Sequence, residues 1–151
     1  MSKLPSITLA FWVMKICATT LGETAGDLLS MTLNVGYAVS SIILFSLFAA
    51  TLTGQLLSRR HLPFLYWSVI VSTSTAGTTM SDFMSRTLLG TPEDAKYMAA
   101  SAILLTLLLT TLAIWRFTEK SLSVTSITTR RGEVFYWTAI LFSNTLGTAL
   151  G

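Results

Sequence analysis

Residues 99–114 read AASAILLTLLLTTLAI, a run with no charged side chain, no proline and no glycine. With its flanking turns, from Lys96 to Trp115, it makes a helix about 30 Å long, the hydrocarbon thickness of a bilayer. Residues 41–50, SIILFSLFAA, are equally free of charge. Working outward from these two anchors, apolar runs of comparable length fall at about 7–29, 37–57, 63–88, 96–115 and 134–151. The fold class this predicts is an all-α polytopic membrane helix bundle, with five transmembrane helices in a single membrane domain, residues 1–151. The odd-numbered helices are rich in Ser, Thr and Gly, and the second and fourth are plainly apolar. Short turns at Asn34-Val35-Gly36, at Arg59 to Pro63 and at Gly90 to Asp94 connect them. Thr91 or Asp94 is placed to cap the fourth helix. Residues 118–132 are a longer polar stretch, read as a loop or a short surface helix.

Composition narrows the function. Hydrophobic residues make up 52% of the chain and charged residues 11%, against about 25% charged in a soluble domain. A lone Cys17 and a lone His61 exclude a disulfide framework and make a dedicated zinc or copper site an unfavourable reading. The net charge of +3 resides at helix ends, with no basic patch interleaved with aromatics and no nucleotide-binding glycine motif, so no nucleic-acid partner is expected. The serines lack a histidine at depth, and no enzyme constellation is present. The first apolar run contains Lys15 and continues to Glu23 and Asp27, which reads as a retained helix rather than a signal peptide.

Positive charge in short loops sets the orientation. With the N-terminus inside, the inner segments hold Lys3, Arg59, Arg60, Arg116, Lys120, Arg130 and Arg131, and the outer segments hold Arg86 and Lys96. The expected topology is N-terminus in, C-terminus out. Trp12, Tyr66, Trp67, Trp115, Tyr136 and Trp137 then fall near the inner interface as an aromatic belt.

The odd helices repeat one another. Phe11-Trp12, Gly22 and Asp27 in the first correspond to Tyr66-Trp67, Gly77 and Asp82 in the third and to Tyr136-Trp137 and Gly147 in the fifth. The Gly lies ten residues after the Trp in all three, and the Asp fifteen after it in the first two. All three helices run in the same direction, so the repeats are parallel. Repeat one spans about 7–57, repeat two about 63–115, and a partial repeat three about 134–151. Counting on, the third Asp is expected at the position after Gly151; a chain that ends there as a complete protein is expected to form a homo-oligomer, because an isolated odd helix exposes its polar face to lipid.

The Trp-x9-Gly-x4-Asp unit followed by a plain hydrophobic helix resembles the repeat of unknown function found in tandem in bacterial multi-pass membrane proteins. The resemblance extends over nearly the whole chain and includes Thr19 to Thr24, Thr129-Arg130-Arg131 and Phe135-Tyr136-Trp137. It implies a helical bundle in the bacterial cytoplasmic membrane, typically of four repeats, and brings no settled activity.

Ionisable groups at the centre of a membrane helix cost about 2.5–3.5 kcal/mol each on insertion scales, which makes them functional candidates. Lys15, Thr19, Glu23 and Asp27 are spaced by four along one helix stripe. The equivalent stripes are Ile70, Ser74, Thr78 and Asp82, and Ile140, Asn144 and Thr148. Asp27, Asp82 and Glu23 are candidate cation or metal ligands, with Thr20, Thr78, Ser81 and Asn144 as neutral oxygen donors and Lys15 as a unique partner charge. Hard oxygens suit Mg²⁺, Mn²⁺, Na⁺ or a proton. No resident cofactor is expected, and Mn or Mg enters as cargo. Carboxylates crowded in low dielectric repel, which favours holding a proton and permits proton coupling. Met80 and Met84 are possible soft ligands beside Asp82. Gly22, Gly26, Gly77 and Gly147 are expected to pack helices closely.

Two functions follow. One is a small transporter or channel for a cation or a proton-coupled solute, lined by the odd helices. The other is a non-transporting scaffold, sensor or assembly subunit, in which the carboxylates bond neighbouring hydroxyls or pair with Arg86.

Overall fold

The computed structural model describes residues 5, 7–33, 35–58, 60, 62–88, 93–124, 127 and 129–151. Lys3, Asn34, Arg59, His61, Gly90, Thr91 and Pro92, which entered the loop and topology arguments, lie outside them. The described chain is all-α: α1 (Leu9–Asp27), α2 (Tyr37–Leu57), α3 (Pro63–Phe83), α4 (Glu93–Glu119) and α5 (Arg130–Leu150). Local chemistry starts α1, α2, α3 and α5. Thr8 caps α1 by accepting the Phe11 N–H at 3.2 Å. Gly36 precedes α2 at φ 85°, a conformation that favours glycine. Pro63 opens α3, where its missing N–H costs nothing. Thr129 caps α5 through the Gly132 N–H at 2.9 Å and donates to Glu119 Oε1 at 3.0 Å.

α4 and α5 begin before their sequence-based limits, and α4 also ends beyond its own. α4 already begins at Glu93, so Asp94 is inside it rather than at its cap. α5 begins at Arg130 and α4 ends at Glu119, which shortens the polar 118–132 stretch to the residues between them. The Thr129 cap explains the early start. α1 and α3 both continue into a π-helical turn, Leu28–Thr32 and Met84–Leu88, beginning one and two residues after Asp27 and Asp82. The Leu33 N–H bonds the Leu28 carbonyl at 2.9 Å, the wider closure of a π turn.

α3 is the hub. It packs against α1, α2 and α5, and α4 packs on α5 and on the π turn after α3. Each apolar helix thus leans chiefly on the odd helix that follows it. Hydroxyl side chains share the interior with an apolar cluster of Leu44, Phe48, Tyr66, Val69, Ile70, Trp137 and Leu141. Ser72 to Thr79 of α3 are all buried, as are Ser40, Gln55 and Thr145. Leu9, Ile42, Met98 and Leu109 face outward with more than half of their surface free. The polar core is tolerable because hydroxyls return to their own helix: Thr79 donates to the Thr75 carbonyl at 3.1 Å and Thr145 to the Leu141 carbonyl at 2.8 Å, while Thr73 bonds the Val69 carbonyl. Among the described residues, α2 and α4 are the helices long and apolar enough to cross a membrane.

The expected aromatic belt is corrected. Tyr66, Trp115 and Trp137 are buried, Trp137 completely. The odd helices run parallel and bring their aromatic-Trp pairs to one level, where the rings meet each other instead of an interface. Trp12, Phe11, Trp67, Tyr66, Trp137 and Tyr136 form an unbroken series with successive centroids 5.1–5.7 Å apart. Of this series, Trp12 stays more than half exposed.

Candidate functional site

Parallel odd helices in register place equivalent stripes face to face. Ser74 Oγ donates to the Thr19 carbonyl at 3.0 Å, joining α3 to α1. Thr78 and Thr148 hydroxyls lie 3.4 Å apart, joining α3 to α5. Both contacts link positions that the repeat makes equivalent.

Beyond these contacts, at the C-terminal ends of the odd helices, lies a cavity of about 700 Å³. α1 contributes Glu23 and Asp27, α3 contributes Thr78 and Asp82, and α5 contributes Gly147 and Thr148. Arg86, from the π turn, and Tyr97, from α4, complete the wall. Asp82 is buried and pairs with Arg86 one turn later, Nε to Oδ1 at 3.4 Å. The Arg86 guanidinium also stands over the Tyr37 ring, 5.4 Å from its centroid, and so ties the end of α3 to the start of α2. Glu23 is exposed and Asp27 partly buried.

The structure brings Glu23, Asp27, Thr78 and Asp82 together in this cavity. It does not close them into a metal site: among the described residues, no group of three or more His, Cys, Asp or Glu side chains is placed to hold a metal ion. The sequence-derived ligand set of Asp27, Asp82 and Glu23 shares this one cavity, with Asp82 paired to Arg86. Thr20 is exposed on α1 and absent from the lining. Ser81 is buried, but it too lies outside the lining. Met80 lines a separate apolar groove with Phe45 and Phe83.

Lys15 and Asn144 belong to a second cavity, of about 260 Å³, at the aromatic end of the same three helices. Its walls are Phe11, Trp12, Tyr66, Tyr136 and Ile140. Lys15 and Glu23, read from sequence as one pair, therefore serve opposite cavities. Between the cavities the backbones meet. A Cβ on Gly22 would overlap Ser74 Cβ, and one on Gly77 would come within 3.1 Å of the Thr145 nitrogen. Gly26 sits 3.2 Å, by the same measure, from the Thr75 carbonyl. These three glycines pack as expected. Gly147 does not: a Cβ there meets nothing within 4 Å, because it faces the large cavity.

The repeat is recognised independently. A family model described as Repeat of Unknown Function (DUF347) matches residues 10–61 and again residues 65–121. The chain belongs to this family. Its two matched repeats correspond to α1–α2 and α3–α4 with their connections, and α5 lies past the second match. No curated protein and no solved structure matches the chain.

The large cavity was half legible in sequence. The four-residue spacing and the repeated Asp identified its α1 and α3 walls. Tyr97 and Gly147 were missed as lining, because Tyr97 belongs to no repeated motif and a glycine gives the same signal whether it packs or opens a void.

Proposed function

We propose that this member of the family is a small membrane transporter that moves a cation or a proton-coupled solute between two cavities on α1, α3 and α5. The observation that carries the proposal is the pair of cavities itself. One holds Glu23, Asp27 and Asp82, the other holds Lys15, and the same three parallel helices line both. A tight seam at Gly22–Ser74 and Gly77–Thr145 divides them. Carboxylates in a wet cavity can take and release a proton, and a seam of small residues can part without large side-chain rearrangement.

The reading places all five helices across a membrane. α1, α2, α3 and α5 have 19–21 residues and α4 has 27, so each reaches about 28 Å or more. Exposed apolar faces on α2 and α4, with hydroxyls buried inside, suit lipid outside and a polar route within. In the proposed topology the N-terminus faces the cytoplasm and the large cavity opens outward.

Flux in proteoliposomes tests the proposal. The purified chain is reconstituted around a pH-sensitive dye and driven by a cation or proton gradient. Flux is expected from the native chain and is expected to vanish in Asp27→Asn/Asp82→Asn; equal flux in both would sink the idea. The Asp82–Arg86 pair favours the second reading, a non-transporting scaffold, because it gives Asp82 a structural use. Absence of flux from a folded native chain, with partner capture dependent on Asp82, would select it.

A further inference from the structure

The aromatic-end cavity has a charge opposite to that of the large one. Lys15, partly buried on α1, points its chemistry into a space walled by Phe11, Trp12, Tyr66 and Tyr136. Among the described residues it pairs with no carboxylate. Asn144, on α5, lines the same space, and its amide nitrogen is buried and makes no hydrogen bond among the described residues. A second donor without an acceptor is costly in a dry site, about 1–3 kcal/mol. Among the described residues no acidic side chain lines this space. A cation and an orphaned amide donor, set in aromatic walls, form the complement of one ligand type.

Building on the transporter reading, we infer that this cavity binds a small organic anion, a monocarboxylate with an apolar or aromatic body. The carboxylate accepts from the Lys15 ammonium and from the Asn144 amide, and the body rests against the rings. A cavity of about 150 Å³ holds a benzene molecule, so about 260 Å³ accommodates one ring bearing a carboxylate. The inference also narrows the cargo. A carboxylate bound at Lys15 and protons held by Asp27, Asp82 and Glu23 at the other end are the two halves of a proton-coupled organic-anion carrier. An anionic lipid headgroup carries related chemistry, and the test separates it.

Benzoate is the probe, titrated calorimetrically into the full chain in phosphatidylcholine nanodiscs, beside benzyl alcohol and benzylamine. Saturable binding of benzoate in preference to both is expected, and this comparison requires no variant. Lys15→Gln is expected to weaken benzoate by about 10- to 100-fold, the worth of a charge-assisted hydrogen bond. Lys15→Arg is expected to restore most of it, and Asn144→Leu to weaken it less than Lys15→Gln does. Phosphatidylglycerol added to the nanodiscs is expected to leave benzoate affinity unchanged. Preference for benzylamine, indifference to charge, or benzoate affinity unaltered in Lys15→Gln would overturn the inference. Loss of benzoate binding on adding phosphatidylglycerol would assign the cavity to lipid headgroups and overturn it too. Because binding is read without transport, benzoate can fail while Asp-dependent flux persists, or bind while flux is absent, so the two proposals fail separately.

Discussion

The hydroxyl of Tyr66 lies 2.9 Å from the hydroxyl of Tyr136, and the two residues hold the same place in successive repeats. The same relation links Thr78 to Thr148. Equivalent atoms meet because parallel helices of one sequence pattern, packed at one level, present like faces to each other. The aromatic series extends this pairing into the core around Trp137. Tyr66→Phe is expected to cost about 1 kcal/mol, the net value of one hydrogen bond. Trp137→Ala, which empties a fully buried site, is expected to cost about 3–5 kcal/mol. Unfolding in detergent, followed by circular dichroism, ranks the two; a larger loss in Tyr66→Phe would contradict the packing described.

The glycines of the seam and the cavity make opposite forecasts. Gly22→Val forces a side chain into Ser74 and is expected to destabilise the chain by about 1–3 kcal/mol. Gly147→Ala meets open space and gains helix propensity, so it is expected to be neutral or stabilising by up to about 1 kcal/mol. Thermal midpoints of the purified variants check the contrast. Equal destabilisation by both would mean that Gly147 is packed.

Arg86 and Asp82 form a pair that is buried on the acid side and partly open on the arginine side. Its worth falls between the exposed and buried limits, so Arg86→Gln is expected to cost about 1–3 kcal/mol. Much of that loss comes from leaving Asp82 without its cation. Arg86→Gln combined with Asp82→Asn is therefore expected to be more stable than Arg86→Gln alone. Strict additivity in a double-mutant cycle would show that the two residues do not interact.

Topology is open to single-cysteine labelling, since Cys17 is the lone native thiol and sits on an exposed face of α1. In a Cys17→Ser background, Ser121→Cys lies after α4 and Val35→Cys before α2. A membrane-impermeant maleimide applied to intact cells is expected to label Val35→Cys and to spare Ser121→Cys, with the reverse in inverted vesicles. Labelling of both from one side would contradict five spans.

The sequence by itself determined the helical class, the five segments, the phase of the repeat and the stripes on α1, α3 and α5 that carry Lys15, Glu23, Asp27 and Asp82. These are local properties: a charge-free run of helix length, a spacing of four and a motif at a constant offset are readable before any packing is known. Only the tertiary structure decided what the stripes face. It split Lys15 from Glu23 into two cavities, paired Asp82 with Arg86 and set Arg86 over Tyr37, turned Tyr66 and Trp137 inward, and opened the space beside Gly147. Each of these depends on which helix lies against which, and α3 became the hub because its Ser- and Thr-rich surface is the one that could not be left uncovered.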